Sequence, residues 1–192
     1  MTVLPLCCFP NSAWLKAYTL DNQVVIDVLE NYLKQTYRNR FDIIGPNGVQ
    51  TLSIPVIGQR GEKIPLNSIL IEKGKWQKEH LSSLRTAYNA APYAEHFLPG
   101  IEDLFMRPPD SLMNFNLQAL NLSLEWLGIE PKHEISSEYI QEASIDLRPI
   151  QKKRQGEFPT YLQVFSDRMV FEGDLSAIDL AMNCGNEGRF QI

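Results

Sequence analysis

An α+β fold, with a small mixed sheet of N-terminal strands and a hairpin packed by helices from the middle and C-terminus, is predicted by three observations. Short β-branched runs crowd the first third of the sequence, helical apolar spacing dominates its middle and end, and no internal repeat or low-complexity segment interrupts it. At 192 residues one sizeable core is enough, so residues 1–192 are expected to form a single domain.

The opening "MTVLPLCCFPNSAWLK" has neither a basic n-region nor a long apolar core, so it reads as a first buried segment and not as a signal peptide; a cytoplasmic location is expected on that ground. "QVVIDV" (Gln23 to Val28) has the profile of a buried strand, with Asp27 as its one acid. "RFDII" and "VQTLSIPVIG" flank "GPNG", in which Pro46 suits the first inner position of a turn and Asn47 and Gly48 tolerate positive φ: a hairpin. "KIPLNSILIEKG" holds a third extended stretch.

Helices come next. Trp76, His80, Leu84 and Ala87/Tyr88 recur at three- to four-residue spacing ahead of Pro92. The segment "YAEHFLPGIEDLFMRPP" continues in a helical pattern, expected to break at Pro99-Gly100 and to end at Pro108-Pro109. From Asp110, read as the cap, to Leu127, an apolar stripe runs through Met113, Leu117, Leu120 and Leu124, and Gly128 closes it. "EISSEYI" reads as a strand entering a loop, followed by a polar connector with the basic run Lys152-Lys153-Arg154. Asp174 is placed to cap a last helix carrying Leu175, Ile178, Ala181 and Met182, with Gly185 beyond its end.

Composition excludes several function classes. No apolar run approaches the ~18 residues of a membrane span. A net charge of −5 and a pI near 5.2 argue against a nucleic-acid partner, which needs a broad basic face. No two histidines stand at metal-ligand spacing with a carboxylate or cysteine, so no metal is expected, and no GxGxxG, GxxxxGK[ST] or GxSxG is present; no cofactor is implied. Cys7, Cys8 and Cys184 make no disulfide framework and read as buried thiols.

The blocks "ENYLKQTYRNRFDIIGPNGVQTLSIPV", "KWQKEHLSSLRTAYNAAPYAEHF", "SSEY" and "LSAIDLAMNCG" occur in that order. Together they resemble the WbqC-like proteins, in particular the forms of Bacteroidetes-type bacteria. The resemblance implies a place in O-antigen or other surface-polysaccharide biosynthesis, with acyl or aminoacyl transfer onto a sugar. The sequence departs from the family pattern in two places. "LCCFPN" stands where members carry a His-Gln-Pro-like segment, and "LRPIQKKRQGEFP" is a shortened remnant of a Gly- and Tyr-rich segment.

Three cations in "KQTYRNR" run against the acidic background, which points to a compact anionic or sugar-linked ligand. Arg38 and Arg40 present planar forks for phosphate or carboxylate, Lys34 adds a point charge, and Tyr37 and Asn39 can orient hydroxyls. The alternative is surface charge paired with acids. Ser136, Ser137 and Glu138 lie at the end of a strand, where they can bind sugar hydroxyls or supply a general base, or cap a following helix. His80 shares a helical face with Trp76 and Leu84 and is either catalytic or a buried, hydrogen-bonded histidine. Asp27, if buried, needs a partner, and an arginine of the 38–40 block is the nearest in sequence; it is either catalytic or half of a structural pair. Two functions follow: a transferase-like protein that binds an anionic activated donor, or a non-catalytic binding or interaction protein on the same fold. The oligomeric state is not legible.

Overall fold

The computed structural model describes residues 1–57, 63–149 and 156–192. The basic run Lys152 to Arg154 lies outside them. In chain order the elements are β1 (Thr2–Pro5), α1 (Ser12–Leu20), β2 (Val24–Asp27), β3 (Arg40–Gly45), β4 (Gly48–Ser53), β5 (Val56–Ile57), β6 (Leu70–Ile71), α2 (Trp76–Tyr88), α3 (Ala94–Met106), α4 (Leu112–Trp126), β7 (His133–Ile135), β8 (Ile145–Asp146) and α5 (Ala177–Cys184), with short 3₁₀ turns at Leu66–Ser68 and Gly185–Gln191. The chain is an α+β protein.

β1, α1 and β2 form a β-α-β unit, and the parallel sheet has the order β7-β2-β1-β8. From β1 the chain steps to β2 and on to β7, then crosses back to pair β8 with the free side of β1. The direction of progression therefore reverses between β1 and β8. In parallel sheets, ligands collect beyond the carboxyl ends of the strands at such a reversal. The hairpin β3–β4 joins with Gly45 opposite Gly48, as the sequence predicts, but it forms a separate ribbon and not an edge of the parallel sheet. Only Gly48 uses positive φ there, at 104°.

The first helix, α1, went unread in the sequence. Asn11 caps it by accepting from Trp14 N at 3.1 Å. Asp174, expected to cap the last helix, instead accepts from Ala13 N of α1 at 2.8 Å, and Ser176 takes the N-cap position of α5. Likewise Ser111 and not Asp110 is the N-cap of α4. Its buried face is centred on Leu112, Phe115, Asn116, Ala119, Leu120, Ser123 and Leu124, which leaves Met113 and Leu117 half-buried at the margin. The third helix, α3, runs through Pro99 without breaking, because apolar packing holds it on both sides of the missing N–H. Gly100 faces the Trp126 ring of α4, which a Cβ there would touch at 3.4 Å, an ordinary contact distance.

Helices α2 to α5 pack on one another, and α2 and α5 lie against β3 of the hairpin. At the junction Phe9, Phe41, Phe105 and Trp126 form one aromatic cluster. Phe9 reaches it with φ at 46°, a left-handed value that costs a non-glycine residue roughly 1–3 kcal/mol and persists only where packing enforces it. That turn reverses the chain directly after Cys7 and Cys8, at the carboxyl end of β1.

Candidate functional site

The carboxyl edge of the parallel sheet is closed by buried charge. Asp27, the last residue of β2, is fully buried. Its Oδ1 accepts from Leu29 N (2.9 Å) and Ser136 Oγ (3.0 Å), and its Oδ2 accepts from Arg148 Nη1 (2.7 Å). The Ser136 hydroxyl accepts in turn from Val28 N at 3.0 Å, which locks β7 to β2. Two residues past β8, Arg148 grips Asp146 in bidentate fashion (2.9 and 2.7 Å), donates to Ile140 O at 2.6 Å and lies over the Tyr139 ring. These bonds raise the Arg148 pKa further and lower that of Asp146. The expected partner of Asp27 was an arginine of the 38–40 block; the actual one is Arg148, delivered by the strand that closes the sheet.

Arg38 is equally committed. It is 1% exposed, forks onto Glu30, donates from Nη1 to Thr36 Oγ1 (3.3 Å) and from Nη2 to the Arg148 carbonyl (2.7 Å). Burial pushes the Glu30 carboxyl up, and the Arg38 guanidinium pulls it partly back. Asn116 of α4 ties the site to the helical layer, its amide donating to the carbonyls of Arg38 (2.7 Å) and Leu6 (3.3 Å). Cys8 N donates to Tyr37 O at 2.8 Å. Cys7 therefore lies beside the Arg38–Glu30 pair, but burial pushes its thiol up to about 12, and Arg38 offsets this only in part. A thiol so held stays protonated at neutral pH and is a poor nucleophile.

Arg40 is different. Half-buried at the start of β3, it makes no ion pair among the described residues, and its Nε is buried without a hydrogen-bond partner. Burial raises the pKa of the Tyr32 phenol, while the charges of Arg40 and Arg38 both lower it. Asn39 donates to Ile54 O at 2.9 Å and leaves its own amide oxygen unpartnered and buried. The Tyr37 hydroxyl donates to Asp42 at 3.3 Å. Lys34, Ser137 and Glu138 are exposed. No helix follows Ser136 to Glu138, so the helix-cap alternative falls away.

His80 lies elsewhere. Its ring packs on Trp76, Phe41 and Phe105, its Nδ1 is buried without a partner, and burial lowers its pKa to about 4, so the ring is neutral at pH 7. No described contact joins it to Arg38, Arg40 or Glu138. Among the described residues no group of three or more His, Cys, Asp and Glu side chains could hold a metal ion. Clefts open beside the hairpin turn, at the amino ends of β2 and β7, below the end of α4 and ahead of α2. None of these clefts is lined by a residue named above as a candidate. Sequence reasoning missed Glu30, Arg148, Asp146 and Asn116; only the need of Asp27 for a cation hinted at one of them.

The fold and the site together define an α+β protein whose parallel sheet ends in interlocked arginine–carboxylate pairs, with Arg40, at the start of the neighbouring hairpin, making no ion pair among the described residues. Residues 10–156 match the WbqC-like protein family, and the chain belongs to it. No curated protein and no solved structure gives a match. Among the described residues no helix is long and apolar enough to cross a membrane.

Proposed function

We propose that the chain acts in surface-polysaccharide biosynthesis of the O-antigen type, holding an anionic, sugar-linked donor at the carboxyl edge of the sheet and transferring an acyl or aminoacyl group from it to a sugar. The observation that carries this reading is Arg40. Arg38 and Arg148 already spend their forks on Glu30, Asp27 and Asp146, whereas Arg40 keeps a buried Nε with no partner among the described residues. An anion entering beside Tyr32 would meet that fork and the phenol together, in surroundings of lower dielectric than open water. Family membership supports the biosynthetic setting.

In the transfer, an acceptor hydroxyl or amine attacks the acyl carbonyl, the bond from that carbonyl to the donor breaks, the donor leaves as an anion facing Arg40, and the acceptor's proton passes to a base. Glu138 is exposed and free for that proton, Asp27 acts through Ser136 and Arg148 as a positioning group, and His80, neutral and packed among aromatic rings, takes no direct part. The second reading, a binding protein without catalysis, is favoured by the protonated Cys7 and the fully paired Arg38. Incubation with acetyl-coenzyme A and a panel of amino- and hydroxy-sugars, with release of free thiol followed, separates the two. Sugar-dependent release that falls at least tenfold in Glu138→Gln supports transfer. Donor binding without release leaves the binding reading, and no donor binding at all overturns both.

A further inference from the structure

The cleft beside the hairpin turn differs from the others in its chemistry. About 430 Å³ in volume, it lies between the Pro46-Asn47 turn with the start of β4 on one side and the outer face of α2 on the other. Its side chains are Asn47, Gln50, Ser82, Ser83 and Thr86, with Val49 and Pro46 as apolar floor, and none is charged. Each of the other clefts described carries charge: Lys132 and Glu134, Glu125 and Glu130, or Lys75 and Lys78. A charge-free cleft on a chain that is 21% charged offers an ion nothing to pair with. It offers a neutral ligand donors and acceptors from amides and hydroxyls at once. Gln50 Nε2 donates to Ser83 Oγ at 3.1 Å, an exposed bond that bridges β4 to α2 across the cleft. The Gln50 carbonyl oxygen, the Ser83 proton and the Asn47 amide have no described partner.

We infer that this cleft binds an uncharged, polyhydroxylated ligand, that is, a neutral saccharide of one to three units. Hydroxyls of a pyranose both donate and accept, as these amides and hydroxyls require, and its C–H face fits Val49 and Pro46. The binding rests on the lining alone; the role of this saccharide as the acceptor rests on the transfer reading above. β3 connects the two places, with Arg40 at its start and Gly45 at its end, roughly 17 Å apart at the rise of an extended strand.

Amide chemical-shift mapping with neutral trisaccharides (chitotriose, maltotriose, mannotriose), and with trigalacturonate as the charged counterpart, tests this. At least one neutral sugar is expected to shift residues 45–50 and 82–86, with trigalacturonate leaving them still. Thr86→Trp, an exposed helix position that fills the cleft, is expected to weaken binding at least tenfold, and Gln50→Ala threefold or more, with unchanged melting. Arg40→Glu is expected to leave sugar binding intact, so loss of anion binding there strikes the donor site alone. Shifts from none of the neutral sugars at millimolar concentration, shifts mapping elsewhere, or Thr86→Trp binding as wild type would overturn the inference.

Discussion

Among the described residues two carboxylates are fully buried, and they are satisfied by opposite means. Asp27, at the carboxyl edge of the sheet, faces a guanidinium. Asp179, in the first turn of α5, has only neutral donors: Tyr88 Oη at 2.8 Å, Tyr161 Oη at 2.5 Å, Gln163 Nε2 at 2.9 Å and Asn183 Nδ2 at 3.3 Å. The second arrangement joins the end of α2, residues 161–163 and α5, and burial holds its acid above the ordinary range. It shows that this fold can tie elements together without a buried cation. The ion pairs at the sheet edge carry a desolvation cost that packing alone would not require. They gather at the reversal between β1 and β8, where the proposed function puts the donor.

The largest effect is expected where that comparison is broken by removing a cation. Arg148→Ala leaves the Asp27 carboxylate buried without its partner and is expected to lower unfolding stability by about 3–5 kcal/mol in denaturant titration. Asp27→Asn combined with Arg148→Met is expected to recover most of that loss. A loss under about 1 kcal/mol in the single variant would show that the pair is not desolvated. Tyr161→Phe removes one neutral donor from Asp179 and is expected to cost less, about 1–3 kcal/mol. A cost equal to that of Arg148→Ala would erase the distinction between the two hubs.

The pH dependence sharpens it. Asp179 has its pKa raised, so the folded state keeps the proton to higher pH than the unfolded chain. Its contribution is complete below the ordinary value of 3.8 and is lost as pH rises through the folded value. Wild type is therefore expected to lose stability relative to Asp179→Asn as pH climbs above 3.8. His80 runs the other way. With its pKa lowered from 6.5 to about 4, its contribution is complete above 6.5 and falls as pH drops through 4, by roughly 2–3 kcal/mol in all. His80→Phe is expected to abolish that fall in melts taken from pH 7 to pH 4. The smallest effect belongs to the exposed Arg85–Glu102 pair, where Arg85→Ala is expected to change stability by about 0–1 kcal/mol.

Much of the fold was legible because its signals are local. The Pro46-Asn47 turn, the α2 spacing and the Leu120 and Leu124 stripe each follow from neighbours within a few residues. The parallel sheet was not legible, since β7 and β8 are only three and two residues long and pair across more than a hundred positions. α1 carried a readable signal, Asn11 ahead of Trp14, Leu15 and Tyr18, hidden by the apolar run before it. At the site, Asp27 announced a buried acid by standing alone in "VVID", but nothing near it in sequence pointed to Arg148, which reads as one cation in a polar connector. Arg38 and Arg40 look equivalent in "YRNR". Only the placement of Glu30 opposite one of them tells them apart.

The difference between those two arginines is the centre of the account, and the arginine Nε–H resonances report it directly. Titration of the ¹⁵N-labelled protein with acetyl-coenzyme A, then with UDP-N-acetylglucosamine, is expected to move the Arg40 Nε–H signal with at least one of the two, while those of Arg38 and Arg148 stay in place. The melting profile of Arg40→Glu is expected to match wild type, with the binding gone. Movement of Arg38 or Arg148 with Arg40 unchanged, or equal affinity in Arg40→Glu, would contradict the assignment of the free arginine as the anion contact.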